Sequence, residues 1–238
     1  MPLERLDKLL SSTGRWSRRE VKQLVKEGRV LADGRIARAC DEKHDPETVS
    51  LQVDGQSVRL RARTVLMLNK PAGVVSATED PRQKTVLDLL PAHLRRLGLF
   101  PVGRLDRDTE GLLLLTDDGA LAHALLSPKK HVDKVYLARV EGRLTGEDAA
   151  AFAGGLTLSD GTVCAPAQLE ILSSGGECLV RVTLREGKYH QVKRMVAARG
   201  AKVLSLKRVA MGPLRLDGSL APGEWRELTP EEERKLPK

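Results

Sequence analysis

The stretch PVGRLDRDTEG, residues 101–111, leads directly into the apolar run Leu112–Leu115. Four consecutive leucines are typical of a strand buried on both faces, and the glycines and charged residues before them predict a turn. Asp106 follows Leu105, whose side chain should point into the core. A carboxylate this close to an interior costs free energy unless a neighbouring group compensates it, and such positions are often active sites. Asp106 is therefore the first candidate for a catalytic residue.

Length and composition favour a folded protein without a membrane segment. Its 238 residues, 41% of them hydrophobic, suffice for one medium domain or for a small domain followed by a larger one. No apolar run approaches the roughly 20 residues that cross a bilayer, and the charges within Met1–Leu10 argue against a signal peptide. The cysteines, Cys40, Cys164 and Cys178, lack CxxC spacing, which disfavours a disulfide framework or a zinc site. We expect a cytoplasmic protein.

The charge is strongly positive and unevenly distributed. The formal net charge is +8, with ten Lys and Arg against five Asp and Glu in residues 1–40, and eight against one in residues 185–210. Two basic segments indicate two contacts with one polyanion such as a nucleic acid, although ribosome-associated and membrane-surface proteins share this composition. Aromatic residues make up only 3% of the chain, which disfavours a platform that stacks several bases.

Residues 1–60 have the pattern of a small, separate unit. Apolar residues at helical spacing predict a helix over Arg5–Ser12. Ser17 and Glu20 have the spacing of a capping box, which predicts the start of a second helix. The pair Asp33-Gly34 predicts a hairpin turn after that helix.

Residues 61–238 predict a larger domain in which strands outnumber helices and do not alternate with them regularly. This pattern favours an α+β fold with a mixed, mostly antiparallel sheet and helices beside it. A basic linker over 60–64 precedes this domain, and a weakly ordered charged tail, Pro230–Lys238, is expected to end it. The predicted helices cover Thr85–Leu90, Ala120–Leu126, Glu147–Phe152 and Gln191–Arg199. The predicted strands cover Val65–Leu68, Leu112–Leu115, Val135–Val140, Cys178–Leu184 and Lys202–Lys207.

Four short motifs of the first unit occur in the order of a known RNA-binding module. They are RLDKLL at 5–10, SRRE at 17–20, GRV at 28–30 and DGR at 33–35, and together they resemble an S4 domain. Backbone N–H groups at the start of the second helix also favour phosphate. The alternative is a solvated helix with ordinary surface charges. The residues predicted to bind RNA here are Arg5, Lys8, Arg15, Arg18, Arg19 and Lys22.

The segment GRLDRDTEGL, residues 103–112, resembles the catalytic motif of the pseudouridine synthases, which isomerise uridine in RNA. Three further segments agree with this family in order, namely NKPAG at 69–73, KVY at 134–136 and EGKYHQVKRM at 186–195. With the S4-like start, the architecture is similar to the RsuA-type branch, whose members modify ribosomal RNA. The YHQVKRM form is most similar to the small-subunit (16S) enzyme, because large-subunit relatives more often have an Asn-Arg pair there.

The resemblance implies roles for three residues of the site. Asp106 matches the carboxylate on which the reaction depends, either as a nucleophile at C1′ of the ribose or as a base at C2′. Lys193 matches the basic residue that pairs with this aspartate, and the alternative is a lysine that binds phosphate. Tyr136 is expected to stack on the uracil, unless it is an ordinary half-buried strand tyrosine. A fourth residue, Leu184, ends a predicted strand just before the late motif, and from this position we expect it to line the apolar side of the pocket.

The surroundings of the carboxylate lead to further expectations. Arg104 lies two residues before Asp106, on the same side if the segment is extended. It resembles the family's motif arginine, which implies that it braces the loop through carboxylate or backbone contacts. Asp108 is expected to be only a turn or cap residue. Since a cation near a helix N-terminus opposes the helix dipole, something negative should lie beside Lys193. His190 is interpreted as a structural residue or an RNA contact.

A uridine stacked in a helix must be flipped out before a buried carboxylate can reach it. We expect a monomeric rRNA pseudouridine synthase without metal or organic cofactor, acting on 16S rRNA or on a ribosomal-subunit assembly intermediate. The alternatives are the same reaction on 23S rRNA, a non-catalytic rRNA-binding or ribosome-assembly factor, and a metal-dependent nuclease. The residues predicted to hold the phosphates beside the late motif are Lys202, Lys207 and Arg208.

Overall fold

The computed structural model describes residues 3–58, 60, 63–127, 130–175 and 177–237. The chain forms two compact units, of which the first contains the described residues of Met1–Thr64 together with Leu90–Leu99. The second contains the described residues of Val65–Leu89 and Phe100–Lys238. Within the predicted linker, residues 61 and 62 lie outside the described residues, as does the predicted boundary at 61.

The first unit packs helices against a small antiparallel sheet. The sheet has the order β3-β2-β5-β6, and β1 pairs separately with β4. Its core includes Leu6, Leu10, Val21 and Val30, all fully buried, which are the apolar positions at helical and strand spacing. The helices are α1 (Leu6–Ser11), α2 (Arg18–Lys26) and α3 (Ala92–Arg95). The strands are β1 (Glu4–Arg5), β2 (Val30–Ala32), β3 (Arg35–Ile36), β4 (Lys43–His44), β5 (Leu51–Val53) and β6 (Gln56–Val58).

Two local predictions for this unit are confirmed. The Ser17 hydroxyl accepts a hydrogen bond from the Glu20 amide at 3.2 Å, and the Glu20 carboxylate accepts one from the Ser17 amide at 2.6 Å. Asp33 and Gly34 have φ of 50° and 75°, and they join β2 to β3. Both effects depend only on neighbouring residues, which is why the sequence predicts them well.

The segment Leu90–Leu99 lies far along the chain and yet belongs to the first unit. Its His93 carbonyl oxygen approaches Gly14 so closely that a Cβ at Gly14 would lie 2.6 Å from it. The Arg96 guanidinium also lies 3.5 Å from the Glu20 carboxylate. The glycine between α1 and α2 therefore allows a second segment of the chain to approach closely.

The second unit is built on one large mixed sheet. Its order is β11-β12-β10-β13-β9-β7-β15, with β14 beside β13 and β8 beside β9. Among the described residues, β9 and β13 run parallel and the other neighbours in this sheet are antiparallel, which confirms the predicted α+β class. The strands are β7 (Val65–Lys70), β8 (Phe100–Pro101), β9 (Glu110–Thr116), β10 (Lys134–Glu141), β11 (Gln168–Ser173), β12 (Glu177–Leu184), β13 (Lys202–Met211), β14 (Leu214–Arg215) and β15 (Trp225–Glu227).

The central strand β9 carries the leucine run with which the sequence analysis began. Leu112–Leu115 are 0% exposed, which confirms the prediction of a strand buried on both faces. The helices beside the sheet are α4 (Gly119–Leu126), α5 (Gly146–Gly154), α6 (Gln191–Ala197) and α7 (Pro230–Arg234). The helix predicted over Thr85–Leu90 is a short 3₁₀ helix, Val86–Leu89. Within the described residues, no helix has the length and apolar character required to span a bilayer.

The prediction of a weakly ordered tail over Pro230–Lys238 is wrong for the described residues, because this segment forms a helix and packs on the core. Lys238 itself lies outside the described residues. Thr229 and Glu232 form a capping box at the start of α7, and Leu236 is buried in the core of the second unit. Arg226 forms ion pairs with Glu232 at 2.7 Å and with Asp217 at 2.6 Å. Contacts with residues distant in sequence hold this charged segment in place, and composition alone does not reveal them.

Candidate active site

The loop that carries Asp106 connects β8 to the central strand β9, and side-chain hydrogen bonds hold its backbone in place. Leu105 is buried, as expected, and its backbone is held by the hydroxyl of Ser76. This hydroxyl donates to the Leu105 carbonyl at 2.9 Å and accepts from the Leu105 amide at 3.1 Å. Asp106 is therefore placed between an anchored leucine and the start of a buried strand, and its own side chain remains partly exposed.

A second anchor is Lys70, the last residue of β7, whose side chain is fully buried. Its ammonium group donates hydrogen bonds to the carbonyls of Pro71 at 3.0 Å, Arg107 at 3.3 Å and Thr109 at 2.9 Å. Burial lowers the pKa of Lys70 to about 8, against an ordinary value of 10.5, although nearby carboxylates oppose this shift. Lys70 thus joins the early NKPAG segment to the loop that carries Asp106.

The sequence patterns did not predict a role for Lys70. The available signal was the position of Lys70 at the end of the apolar run VLML, where a buried ammonium requires several acceptors. Gly111 adds a constraint at the other end of the loop. It has φ of 101°, and a Cβ there would lie 2.2 Å from the Arg208 carbonyl oxygen. A side chain at Gly111 is thus incompatible with the pairing of β9 and β13.

Lys193, on α6, lies beside two carboxylates of the loop. Its ammonium nitrogen is 3.1 Å from Asp106 Oδ2, which confirms the expected ion pair, and 2.6 Å from Asp108 Oδ1. Burial lowers the pKa of Lys193, but the hydrogen bonds with Asp108 and Asp106 outweigh this effect and leave it raised. The same hydrogen bond from Lys193 lowers the pKa of Asp108.

The prediction that Asp108 is only a turn or cap residue is wrong, because Asp108 also forms an ion pair with Lys193. Its side chain is 74% exposed, but it makes the shorter of the two contacts with Lys193. Lys193 is the third residue of α6, where a cation opposes the helix dipole. Two carboxylates, instead of one, provide the negative charge that stabilises this cation near the N-terminus of α6.

A pocket open to solvent, about 420 Å³ in volume, lies beside Asp106. Tyr136 of β10 and Leu184 of β12 line it, as expected, and are 8% and 3% exposed. Among the described residues, the Tyr136 hydroxyl has no hydrogen-bond partner, so it is available to a bound molecule. Arg104, Lys188 and His190 also line this pocket.

Comparison with known proteins identifies the fold that holds this pocket. Residues 64–198 match the family model described as RNA pseudouridylate synthase, and residues 4–39 match the model of the S4 domain. The chain belongs to the RNA pseudouridylate synthase family. The loop with Asp106, the pocket with Tyr136 and Leu184, and Lys193 all lie within the span of the first match.

Individual relatives of this pseudouridylate synthase are similar over almost their whole length. An uncharacterised RNA pseudouridine synthase of Bacillus subtilis, YtzG, is 51% identical over 96% of both chains. The ribosomal small subunit pseudouridine synthase A of Yersinia pestis is 42% identical, also over 96% of both chains. A crystal structure described as pseudouridylate synthase has a TM-score of 0.68 at 35% identity and covers 98% of this chain and 99% of its own.

Arg104 does not brace the loop of the synthase as expected. Its side chain is exposed at the pocket, and among the described residues it makes no hydrogen bond or ion pair. The expected brace comes instead from Lys70 and Ser76, which lie earlier in the chain and bind the loop backbone. Spacing places Arg104 beside Asp106 but does not reveal that other residues already hold the backbone.

The prediction that Arg208 holds RNA phosphates is also wrong. Arg208 is 2% exposed, so it cannot serve as a surface contact for phosphate. Its Nε donates to the Leu112 carbonyl at 2.7 Å, and its Nη2 is buried without a partner among the described residues. The strand β13 lies between β10 and β9, so alternate side chains point into the interior. Lys202 is exposed and lies 3.9 Å from Glu141, whereas Lys207 is half-buried.

The basic residues of the S4 unit fall into two groups. Arg5 forms an ion pair with Asp7 at 3.0 Å, and Lys8 forms one with Glu4 at 2.5 Å, so part of their charge is compensated within the unit. The other predicted RNA contacts are exposed cations that pair with no carboxylate among the described residues. These are Arg15, Arg18, Arg19 and Lys22. RNA contact by either group remains a prediction.

Among the described residues, no group of three or more His, Cys, Asp or Glu side chains is arranged to hold a metal ion. The independence of the reaction from cofactors remains a prediction.

Proposed function

We propose that this synthase converts a specific uridine of 16S ribosomal RNA to pseudouridine, with Asp106 as the catalytic residue. The observation that carries the proposal is the ion pair of Asp106 with Lys193 at 3.1 Å, at the wall of a pocket lined by Tyr136. The choice of RNA is supported by similarity to the ribosomal small subunit pseudouridine synthase A of Yersinia pestis, at 42% identity. The late motif YHQVKRM, residues 189–195, supports the same choice.

The reaction breaks the bond between C1′ of the ribose and N1 of uracil, and then joins C1′ to C5. The proton of C5 is lost and N1 gains one, so the product is an isomer of the substrate. A carboxylate assists either by attacking C1′ or by removing the C2′ proton. Both roles require the anionic form of Asp106, and the ammonium of Lys193 lies 3.1 Å from its carboxylate.

The pocket supplies a site for the base once it is detached. The ring of Tyr136 would stack on the uracil and Leu184 would pack against its edge, since both side chains line the pocket. The free hydroxyl of Tyr136 can bind a polar atom of the base. Holding the base between these walls keeps it near C1′ while it turns from N1 to C5, so it is not lost to water.

A uridine can enter only if it is flipped out of its strand. The unpaired guanidinium of Arg104 at the pocket is positioned to bind the flipped nucleotide or its phosphate. The exposed cations of the S4 unit, together with Lys202 and Lys207, supply further charge for the flanking backbone. Arg208 is excluded from this role by its burial.

We further infer that the protein acts as a monomer in the cytoplasm, on rRNA or on an assembly intermediate of the small subunit. One chain supplies Asp106, Lys193, Tyr136 and Leu184, which supports activity without a partner copy. The cysteines at 40, 164 and 178 are free thiols, which suits a reducing compartment.

The decisive experiment maps pseudouridine in rRNA from cells that lack the protein and from cells complemented with Asp106→Asn. We expect one 16S site to lose pseudouridine in both strains, because the amide can neither attack C1′ nor remove a proton efficiently. RNA binding should remain largely intact. Asp41→Asn, at an exposed aspartate of the first unit, is the matched control and should restore the modification.

Each other outcome of this mapping is informative. Loss of a 23S site would move the substrate to the large subunit. An unchanged pseudouridine map would favour a non-catalytic rRNA-binding or assembly factor. Full modification in the Asp106→Asn strain would refute the assignment of Asp106, and loss of activity in EDTA would revive a metal-dependent reaction.

A further inference from the structure

Tyr189 is exposed in a way that folding does not explain. The chain has only six aromatic residues, two each of Trp, Tyr and Phe, and all six lie in the described part of the chain. Tyr189 is 75% exposed, whereas each of the other five is buried or half-buried. A ring that remains in water contributes little hydrophobic stabilisation, so its position calls for a role outside the fold.

The ring of Tyr189 is already stacked on one face. It lies parallel to the ring of His190, with centroids 3.8 Å apart and an interplanar angle of 18°. His190 Nε2 is 3.7 Å from Asp106 Oδ1, and His190 lines the pocket. The two rings therefore form a stack that begins at the proposed catalytic carboxylate and ends at a free aromatic face.

The backbone holds this stack in position before any RNA binds. His190 has φ of 49°, in the left-handed region that histidine adopts only occasionally, and it precedes the first residue of α6. The Arg194 guanidinium donates to the Tyr189 carbonyl at 3.3 Å, and Gln191 accepts a hydrogen bond from the Lys188 amide at 3.0 Å. A platform fixed in this way loses little conformational freedom when a ligand stacks on it.

We propose that the free face of Tyr189 binds a nucleobase adjacent to the flipped uridine in the RNA strand. This inference rests on the proposed function, because it takes the pocket beside Asp106 as the site of the uridine. Any base has a π-face, so the stack recognises a single-stranded neighbour without reading its identity. Lys188, at the pocket, supplies positive charge beside the platform, although it also pairs with Glu186 at 3.1 Å.

The test compares Tyr189→Leu with Tyr189→Phe on rRNA from cells that lack the protein. Stacking on an aromatic ring predicts that Tyr189→Leu raises KM by about tenfold or more, with kcat changed much less. Tyr189→Phe retains the ring and should behave like the wild type. Leu172→Ala removes exposed apolar surface from β11, remote in sequence from the late motif, and serves as the control without effect.

Two results would overturn the platform. One is an unchanged KM in Tyr189→Leu, and the other is an equal loss in Tyr189→Phe, which would assign the effect to the hydroxyl. Since Tyr189 is exposed, the variants should melt at the wild-type temperature, and this is checked by circular dichroism.

A second measurement separates this proposal from the proposed function. In Tyr189→Trp, a short single-stranded RNA should quench the added fluorescence, beyond any quenching of Trp16 and Trp225 in the wild type. The same RNA with abasic sites should quench much less. If no pseudouridine forms but base-dependent quenching occurs, the platform stands and the proposed reaction fails. If pseudouridine forms and quenching is absent, the platform fails alone.

Discussion

The loop that carries Asp106 is held by two regions of the synthase with opposite electrostatics. On one side, the end of β7 places the buried ammonium of Lys70 against backbone carbonyls, and its pKa falls to about 8. On the other side, the start of α6 places Lys193 against two carboxylates, and its pKa is raised. The first lysine holds the shape of the loop, and the second controls its charge.

Two lysines, Lys70 and Lys193, therefore have different functions in one site. Lys70 binds neutral acceptors and is removed from water, so removing its side chain should mainly affect stability. Lys193 binds the group that does the proposed chemistry, so its removal should mainly affect the rate.

The largest effect is expected for Lys193→Met, which removes the cation but keeps much of the side-chain volume. Loss of a preorganised electrostatic partner should lower kcat by about 10²- to 10³-fold. The unfolding free energy should fall less than in Lys70→Met, because Asp108 is largely exposed and Asp106 remains partly exposed. Single-turnover assays on unmodified rRNA measure the rate, and Lys193→Arg should recover part of it. A large loss of stability with a normal rate would reverse the roles of the two lysines.

The next effect is expected for Lys70→Met, which leaves the carbonyls of Pro71, Arg107 and Thr109 without their donor. We expect the unfolding free energy at pH 7 to fall by about 2 kcal/mol. Urea denaturation of both proteins measures this loss. The matched control is Lys26→Met, at an exposed lysine in the last turn of α2, which should change stability by less than about 0.5 kcal/mol.

The difference in unfolding free energy between the wild type and Lys70→Met should depend on pH, because the ammonium of Lys70 is buried. The folded pKa of Lys70, about 8, is lower than its ordinary value of 10.5, so the unfolded chain binds more protons between these values. The wild type should therefore gain stability relative to Lys70→Met as the pH rises from about 8 to 10.5, by about 3 kcal/mol in total. A constant difference across this range would show that Lys70 is not buried as a charged group.

The smallest effect is expected for Asp108→Asn. The ion pair of Lys193 with Asp106 remains, so kcat should fall by less than about tenfold. Because a carboxylate is lost, the pKa of Lys193 should fall, and NMR titration of the lysine side chain measures this change. A loss as large as that of Lys193→Met would show that Asp108 takes part in the reaction.

Much of the site could be predicted from the sequence, because the relevant residues lie within short patterns. Asp106 is found from its position before the leucine run, and Leu184 from its place at the end of a strand. The capping box of Ser17 and Glu20 and the hairpin at Asp33-Gly34 depend on neighbours only a few residues apart. The family resemblance added Tyr136 and the partner of Asp106.

The missed features all depend on contacts between distant segments. Lys70 reaches the loop 37 and 39 residues further along the chain, and Lys193 meets Asp108 across 85 residues. Arg208 was expected at the surface, although its strand lies inside the sheet. The sequence shows which residue types are available at these positions but not which of them face one another.

Local sequence patterns were enough to predict the two-part organisation, the α+β class, the buried strand and the proposed catalytic aspartate. Local hydrophobic period, caps and turns act over a few residues, so they are visible in the chain before it folds. Only the tertiary structure decided that Lys70 braces the loop in place of Arg104 and that Lys193 is shared by two carboxylates. Burial and charge pairing depend on which strands become neighbours, and that is settled by packing of the whole sheet.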